Sequence, residues 1–153
     1  MLTLTPARLY QQIVVEAADA IIFADKTGII ELWNSAAESI FGYSAKKALG
    51  NSLDLIIPEK LRQRHWQGYR QAMASGQSTY GKDLLAVPAV RSDGSRISIE
   101  FTIALLADEA GKPIGTAALI RDVTARWQKE KELLSRLAEL EGKLSRMRDT
   151  KRY

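Results

Sequence analysis

The stretch "DAIIFADKTGIIELWN", from Asp19 to Asn34, decides the fold. Two short apolar runs, "DAIIFAD" and "IIELWN", lie on either side of "KTG", a turn that contains a glycine. Short apolar runs that are separated by such a turn are typical of a β-hairpin. The stretch therefore predicts two antiparallel strands near the beginning of a globular domain.

Helical segments are predicted on both sides of this hairpin. Before it, "TPARLYQQIVVEAA" offers Thr5 as an N-cap and Pro6 at the first helical position, and apolar residues follow at helical spacing. After it, short helical pieces are expected to begin at Asn34 and at Ser44, because asparagine and serine favour the N-cap position.

A longer helix is predicted from Pro58 to about Ser75, where Gly76 ends it. Three segments of strand character follow, "TYGKDLLAVPAV", "SRISIEFTIALL" and "PIGTAALIRDV", joined by the turns "RSDG" and "DEAGK". The pattern predicts an α+β domain with an antiparallel sheet. In the middle segment apolar residues alternate with polar ones, which predicts one buried and one exposed face: Ile97, Ile99, Phe101 and Ile103 against Ser98, Glu100 and Thr102.

The pattern changes at Thr124. Five apolar residues then follow at spacings of four and three, and we call them the heptad seam. Such spacing predicts a short two-stranded coiled coil, although Gly142 beside the seam weakens it. The alternative is a single amphipathic helix that folds back on the domain. We therefore expect a helical cap at residues 1–16, a globular domain at 17–123 and a linker helix at 124–153. The seam residues are Leu133, Leu137, Leu140, Leu144 and Met147.

The composition excludes several classes of protein. The chain has no cysteine, which excludes disulfides and thiolate chemistry and fits a reducing cytoplasm. No apolar run approaches membrane-spanning length, and we expect no secretion signal. The first 123 residues carry 13 basic and 13 acidic side chains, whereas the last 30 carry nine and five. A basic tail without interleaved aromatic residues argues against nucleic-acid binding.

Catalytic patterns are missing from the sequence as well. It contains no Ser-His-Asp spacing and no phosphate-binding loop, and its single histidine excludes a metal site of several histidines. We therefore expect that the chain is not an enzyme.

Longer segments resemble the PAS family of sensor domains. The resemblance rests on the hairpin, on the helix that begins at Asn34, on "FGYS" and "LGNSL", and on "RSDGSRISIEFTI" and "IGTAALIRDVTAR". It implies a PAS fold with a five-stranded antiparallel sheet, flanking helices, an N-terminal helix and a C-terminal coiled-coil signalling helix. It also implies that the junction at Asp122 and Thr124 transmits a change in the sheet to that helix. Thr124 can act as the N-cap there, and Asp122 can pair with neighbours at the end of the sheet.

Within this family, "IPEKLRQRHWQGY" resembles without a gap the haem-binding helix of FixL-type oxygen-sensing histidine kinases, "MPEPxRxRHxxY". The resemblance implies that His65 is the axial ligand of b-type haem. A neutral imidazole on a helix face can bind haem iron and leave the other side open for a gas. By helical spacing, Leu61, Ala72 and Met73 share the face of His65, and Tyr69 flanks it. The soft candidates for a sixth ligand are Met73 and the other methionines, none of which the spacing places well.

The expected pocket wall opposite this helix is apolar. Counting back from the "DG" turn places Leu85 where the resemblance implies an arginine that hydrogen-bonds bound oxygen. Because O₂ gains more from a donor than CO or NO does, we expect CO, NO or redox state to be favoured. Haem propionates are expected near basic residues of the helix and near Tyr69. The other wall residues are Ile99, Phe101, Ile103, Ala118 and Ile120, and the basic residues are Lys60, Arg62, Arg64 and Arg70.

These observations predict a cytoplasmic, homodimeric sensory module whose output lies in a partner or effector domain such as a histidine kinase. The alternative is a haem-free PAS module that binds a small metabolite or serves in dimerisation, with His65 as a satisfied core or rim residue. Flavin classes that form a cysteine adduct are excluded, since the chain has no cysteine. A DNA-associated use of the basic tail ranks last.

Overall fold

The computed structural model of the protein describes residues 3–151. These residues form a five-stranded antiparallel sheet with the strand order β2-β1-β5-β4-β3, which confirms the predicted fold class. The strands are β1 (Ala20–Asp25), β2 (Ile30–Trp33), β3 (Leu85–Val90), β4 (Arg96–Ala107) and β5 (Pro113–Asp122). The helices are α1 (Pro6–Glu16), α2 (Ser35–Phe41), α3 (Ala45–Ala48), α4 (Glu59–Ser75) and α5 (Thr124–Thr150), and Leu53–Leu55 form a short 3-10 turn.

The predicted N-caps form the starts of the first three helices. The side chain of Thr5 accepts a hydrogen bond from the backbone N–H of Arg8, and Ser44 accepts one from Lys47. Asn34 caps α2 in the same way. At the other end of α4, Gly76 has a φ of 70°, a left-handed conformation that favours glycine and ends the helix as predicted.

Asn34 also holds three elements together. Its side chain is buried, and its Oδ1 lies 2.9 Å from the backbone N of Ile21 in β1. Its Nδ2 donates to the backbone oxygens of Val14 at 2.9 Å and Asp19 at 3.1 Å. Because a buried amide without partners is costly, these bonds fix the end of α1 and the start of β1 against α2.

The core lies on one face of the sheet, which we call the inner face. Ile22 in β1 pairs with Trp33 in β2 and with Ala118 in β5, and residues that pair directly lie on the same face. Phe41 of α2 is fully buried, and its ring centroid lies 5.5 Å from that of Trp33. Helices α2 and α4 both place side chains in this core.

The strand predicted to begin at Thr79 is shorter than expected, since β3 starts only at Leu85. The preceding residues form turns in which Gly81 donates to the backbone oxygen of Ser78 and Asp83 to that of Tyr80. Backbone groups that are used within a turn cannot take part in a sheet ladder, so the prediction for this segment was wrong.

The chain divides into two compact units between Asp122 and Val123. The first unit contains α1 and the whole sheet, so α1 belongs to the same unit as the sheet, and the second contains α5. Within residues 3–151, no helix is both long enough and apolar enough to cross a membrane.

Candidate functional site

Helix α4 carries most of the residues predicted to bind a cofactor. Its beginning is fixed by Arg62, whose Nε donates to the backbone oxygen of Ile57 and whose Nη2 donates to that of Asp54, both at 3.1 Å. Buried or partly buried residues occupy one side of the helix, and exposed residues occupy the other, as the helical spacing predicted. The first set includes Leu61, His65, Tyr69, Ala72 and Met73, and the second includes Lys60, Arg64 and Arg70.

His65 lies on the buried side of α4 among aromatic rings. Its ring centroid is 4.7 Å from that of Trp66 and 5.7 Å from that of Tyr69. The Nδ1 atom of His65 is buried and forms no hydrogen bond with any residue that the structure describes. A buried polar atom without a partner is costly. Nδ1 of His65 is therefore a buried polar atom whose bonding capacity the described residues do not satisfy.

Burial also sets the charge of this imidazole. It lowers the pKa of His65 below the ordinary value of 6.5, and the carboxylate of Asp54 acts in the opposite direction without outweighing it. The neutral form is consequently favoured at neutral pH. A neutral imidazole is the form that binds metal ions and haem iron.

Tyr69 connects α4 to the centre of the sheet. Its hydroxyl lies 2.5 Å from the backbone oxygen of Asp25 and 3.1 Å from that of Ala24. The hydroxyl of Thr116 in β5 donates to it at 3.4 Å. Burial raises the pKa of Tyr69, so the phenol stays protonated and keeps its role as a donor.

The predicted apolar wall forms two rows across the inner face. Leu85 in β3 pairs with Phe101 in β4, which pairs with Ile120 in β5. In the next row, Ile103 pairs with Ala118. Since Ala118 also pairs with the core residue Ile22, both rows lie on the side of the sheet that faces the core.

This wall is only partly covered. Ile99 and Ile120 are buried, as expected for the centre of a sheet. Leu85 and Ile103 are half-buried, and Val87, which pairs with Ile99, is 38% exposed. The inner face is thus closed over β1 and partly open over β3 and β4. Partly exposed apolar side chains beside a core are available for contact with a ligand.

The sequence comparisons agree with this architecture. The family model described as PAS fold matches residues 16–128, which is most of the chain. This chain belongs to the PAS fold family. A solved PAS domain of a protein from Colwellia psychrerythraea has a TM-score of 0.70 at 21% identity and covers 79% of this chain and 99% of that chain.

Two relatives of this PAS domain are sensor proteins. Sensor protein FixL of Bradyrhizobium diazoefficiens is 33% identical over 128 residues, which are 82% of this chain and 24% of FixL. Oxygen sensor protein DosP of Escherichia coli K12 is 30% identical over 102 residues, which are 66% of this chain and 12% of DosP. The chain therefore spans a quarter or less of the length of these relatives, and it is a PAS sensor domain related to both.

Two of the side chains that were expected to bind haem propionates already bond to the backbone of the protein. Arg62 uses its guanidinium on the backbone of Ile57 and Asp54, and Tyr69 directs its hydroxyl at backbone oxygens. Both groups are used by the fold itself, which differs from their expected role with propionates. Arg64 and Arg70 are exposed. Within residues 3–151, no group of three or more acidic, histidine or cysteine side chains is placed to hold a metal ion.

Sequence reasoning missed the contacts of Trp66. Its Nε1 donates to Oδ1 of Asp54 at 2.8 Å, and its ring lies so close to Gly28 that a Cβ there would overlap it. Gly28 belongs to the β1–β2 turn and has a φ of 83°. Trp66 therefore fixes the helix turn that carries His65. The sequence shows a glycine in that turn but gives no sign of which ring lies against it.

The predicted signal junction joins β5 to α5. Oδ2 of Asp122, the last residue of β5, lies 2.8 Å from Nη2 of Arg91, so the expected pairing at the end of the sheet is confirmed. The preceding Arg121 forms a two-pronged ion pair with Asp19. Thr124 is the first helical residue and Val123 takes the N-cap position, so the expectation that Thr124 caps the helix was wrong. Helix α5 starts one residue earlier than a Thr124 cap would have required.

Helix α5 exposes the complete heptad seam. The five seam side chains are between 49% and 60% exposed, and Leu134 beside them is 67% exposed. A contiguous stripe of exposed leucines is unusual for a surface that meets only water.

Proposed function

We propose that this PAS domain binds b-type haem through His65 and senses a diatomic gas or redox state. The observation that carries the proposal is the buried Nδ1 of His65, which has no partner among the described residues. The residue also occupies the position that matches the haem-binding helix of FixL-type sensors. One relative of the chain is the oxygen sensor protein DosP.

The residues around His65 fit such a cofactor. Burial keeps the imidazole neutral, and half-buried apolar side chains of α4 and of the inner face would contact a flat apolar macrocycle: Met73, Leu85, Phe101, Ile103 and Ala118. When bound, haem would supply an iron that can bind a small gas. Trp66 and Tyr69 hold the turn of α4 on which His65 lies.

The apolar wall sets the preference among gases. Leu85, Phe101 and Ile103 carry no hydrogen-bond donor in their side chains, and Ile120 behind them carries none either. Bound O₂ gains from a donor, whereas CO and NO depend on one less. We therefore expect CO, NO or redox state to be favoured over tight O₂ binding.

A conformational change at the ligand site would pass from α4 through β5 to α5. Tyr69 of α4 contacts Thr116 of β5, and β5 ends two residues before α5 begins. A shift of α4 on ligand binding would displace β5, the strand that leads into the output helix. We propose that the protein is a cytoplasmic homodimer that signals through α5 to an effector such as a histidine kinase, and that the chain itself catalyses no reaction.

The test is the absorption spectrum of the purified protein before and after addition of hemin. We expect a sharp Soret band that is lost in His65→Ala. Gln67→Ala is the matched control, because Gln67 is exposed on the same helix and should leave the band unchanged. A colourless wild-type protein that takes up no hemin would instead support the haem-free module that binds a metabolite or serves in dimerisation.

A further inference from the structure

The imidazole of His65 packs against aromatic rings but has no hydrogen bond at its buried nitrogen. Its Nδ1 atom has no partner among the residues that the structure describes. A histidine that binds a metal ion usually has its other ring nitrogen bonded to an acceptor, and that bond fixes the orientation of the ring. Because no such bond is formed at Nδ1, the contacts left to orient this imidazole are those with the rings of Trp66 and Tyr69.

We propose that Trp66 is a positioning residue for His65 and that the β1–β2 turn holds Trp66 in place. The two ring centroids lie 4.7 Å apart with an interplanar angle of 79°, which is the edge-to-face arrangement that aromatic rings prefer. Such a contact allows the imidazole only a narrow range of orientations as long as the indole is itself fixed. The positioning concerns contacts within this chain, whereas its consequence for haem rests on the function proposed above.

The first fixed point of Trp66 is Gly28 in the β1–β2 turn. A Cβ at this position would overlap Cη2 and Cζ3 of the indole, so the close approach is possible only because residue 28 has no side chain. The turn is held by its own hydrogen bonds, since Oδ1 of Asp25 accepts from the backbone N of Thr27 at 2.8 Å and of Ile29 at 3.0 Å. The outer edge of the indole therefore lies against a fixed backbone.

The second fixed point is the carboxylate of Asp54. Nε1 of Trp66 donates to its Oδ1 at 2.8 Å, and a hydrogen bond to a charged acceptor is stronger than one between neutral groups. The segment that carries Asp54 is bound to the same turn, because the backbone N of Leu53 donates to the backbone oxygen of Gly28 at 3.1 Å. The two fixed points of the indole are therefore connected to each other.

Tyr69 ties the other side of the imidazole to the same region. Its ring centroid lies 5.7 Å from that of His65 and 5.5 Å from that of Trp66. Its hydroxyl bonds to the backbone oxygens of Ala24 and Asp25, where β1 ends and the turn begins. Both rings that contact the imidazole are thus anchored at one place. A displacement of the β1–β2 turn is therefore expected to move His65.

Two glycines provide a matched pair of variants for the test. Gly28 and Gly50 have φ angles of 83° and 81°, so an alanine is strained to a similar extent at both positions. A Cβ at position 28 meets Trp66, whereas a Cβ at position 50 has nothing within 4 Å. His65 is the only histidine of the chain, so the imidazole signals in the NMR spectrum of the haem-free protein belong to it alone.

We expect Gly28→Ala to shift the imidazole signals of His65 and Gly50→Ala to leave them in place. In Trp66→Phe the shorter side chain no longer reaches residue 28, so adding Gly28→Ala should cause no further shift. Two results would overturn the proposal. One is an unchanged imidazole in Gly28→Ala while the indole N–H signal of Trp66 moves, and the other is an equal imidazole shift in Gly28→Ala and Gly50→Ala.

A second pair of variants tests the hydrogen bond and remains informative if Gly28→Ala does not fold. Asp54→Asn keeps an oxygen that can accept from Nε1 of Trp66, whereas Asp54→Ala removes the acceptor. Both variants remove the charge, so a difference between them reports the hydrogen bond. We expect the imidazole signals of His65 to be displaced in Asp54→Ala relative to Asp54→Asn. Identical imidazole signals in the two variants would contradict the role of Trp66.

The consequence for the cofactor is measured by hemin titration of the Trp66 variants. Loss of an outer partner of a metal-binding histidine costs about tenfold to a hundredfold in affinity, and we expect a loss of this size in Trp66→Leu. Trp66→Phe should lose less, because a ring remains against the imidazole. Equal hemin affinity of Trp66→Leu and the wild-type protein would overturn the role of Trp66 at the cofactor. No uptake by the wild-type protein would contradict the proposed function instead, and the NMR signals would then decide the positioning of His65 on their own.

Discussion

The two halves of the inner sheet face differ in how they are covered. Over β1 and β2, Ile22 and Ile30 are fully buried, and Trp33 packs against Phe41 of α2. Over β3 and β4, Leu85 and Ile103 are only half-buried, although the same residue types alternate there. The same sheet thus has a closed half and an open half.

The closed half contributes mainly to the stability of the fold, whereas the open half offers surface to a ligand. A closed half that is packed like an organic crystal stabilises the fold but has no space for a ligand. The open half leaves apolar surface in contact with water, which costs free energy that a bound apolar group would recover. His65 lies on the buried side of α4, which Tyr69 anchors to the sheet, and we propose that the open half and the imidazole together form the site.

The largest difference is expected for truncations in the two halves. Phe41→Ala should lower the free energy of unfolding by about 3–5 kcal/mol, because it leaves a cavity in the closed half. Ile103→Ala should lower it by only about 1 kcal/mol, because the side chain is already half-exposed. Urea denaturation of both variants measures the two losses. Equal losses would show that the open half is packed as tightly as the closed one.

A smaller difference is expected from a donor placed in the open half. In protein loaded with haem, Leu85→Arg should raise O₂ affinity by about tenfold to a hundredfold, the effect of a hydrogen bond to a charged group of about 1.5–3 kcal/mol. Leu85→Met is the control, since it keeps the wall apolar. Gas titration of both variants measures the change. An unchanged affinity in Leu85→Arg would mean that position 85 does not face the bound gas.

The smallest effect concerns pH. The folded protein holds the pKa of His65 below 6.5, so the unfolded chain binds more protons between the two values. The free energy of unfolding of the haem-free protein should therefore fall as the pH decreases through 6.5 and be independent of His65 above it. His65→Gln should remove this part of the pH dependence. Denaturation curves at pH 8 and pH 5.5 test it, and an unchanged slope in His65→Gln would contradict the burial of a neutral imidazole.

Much of the fold could be predicted from local chemistry. The hairpin followed from two apolar runs around a glycine turn, and the start of α2 and the end of α4 followed from Asn34 and Gly76. Leu85 lies on the inner face, as the family resemblance implied for the position counted back from the "DG" turn.

Long-range contacts could not be predicted in the same way. The bond between Trp66 and Asp54 joins residues twelve positions apart, and the one between Tyr69 and Asp25 spans 44. The residue types at these positions do not indicate which other residue each side chain contacts. For that reason Tyr69 was expected to donate a hydrogen bond to a haem propionate, whereas its hydroxyl anchors α4 to the sheet. The half-covered wall also depends on how α4 lies over the sheet, which periodicity does not describe.

The central claim is that His65 is the ligand that binds haem in the open half of the core. The most direct measurement is a hemin titration, followed by the Soret band, of the wild-type protein and of His65→Gly with and without free imidazole. We predict that the wild-type protein takes up hemin at one equivalent, that His65→Gly loses the band, and that imidazole restores it by filling the space of the missing side chain. Equal uptake by the wild-type protein and His65→Gly without imidazole, or no uptake by the wild-type protein, would contradict the account.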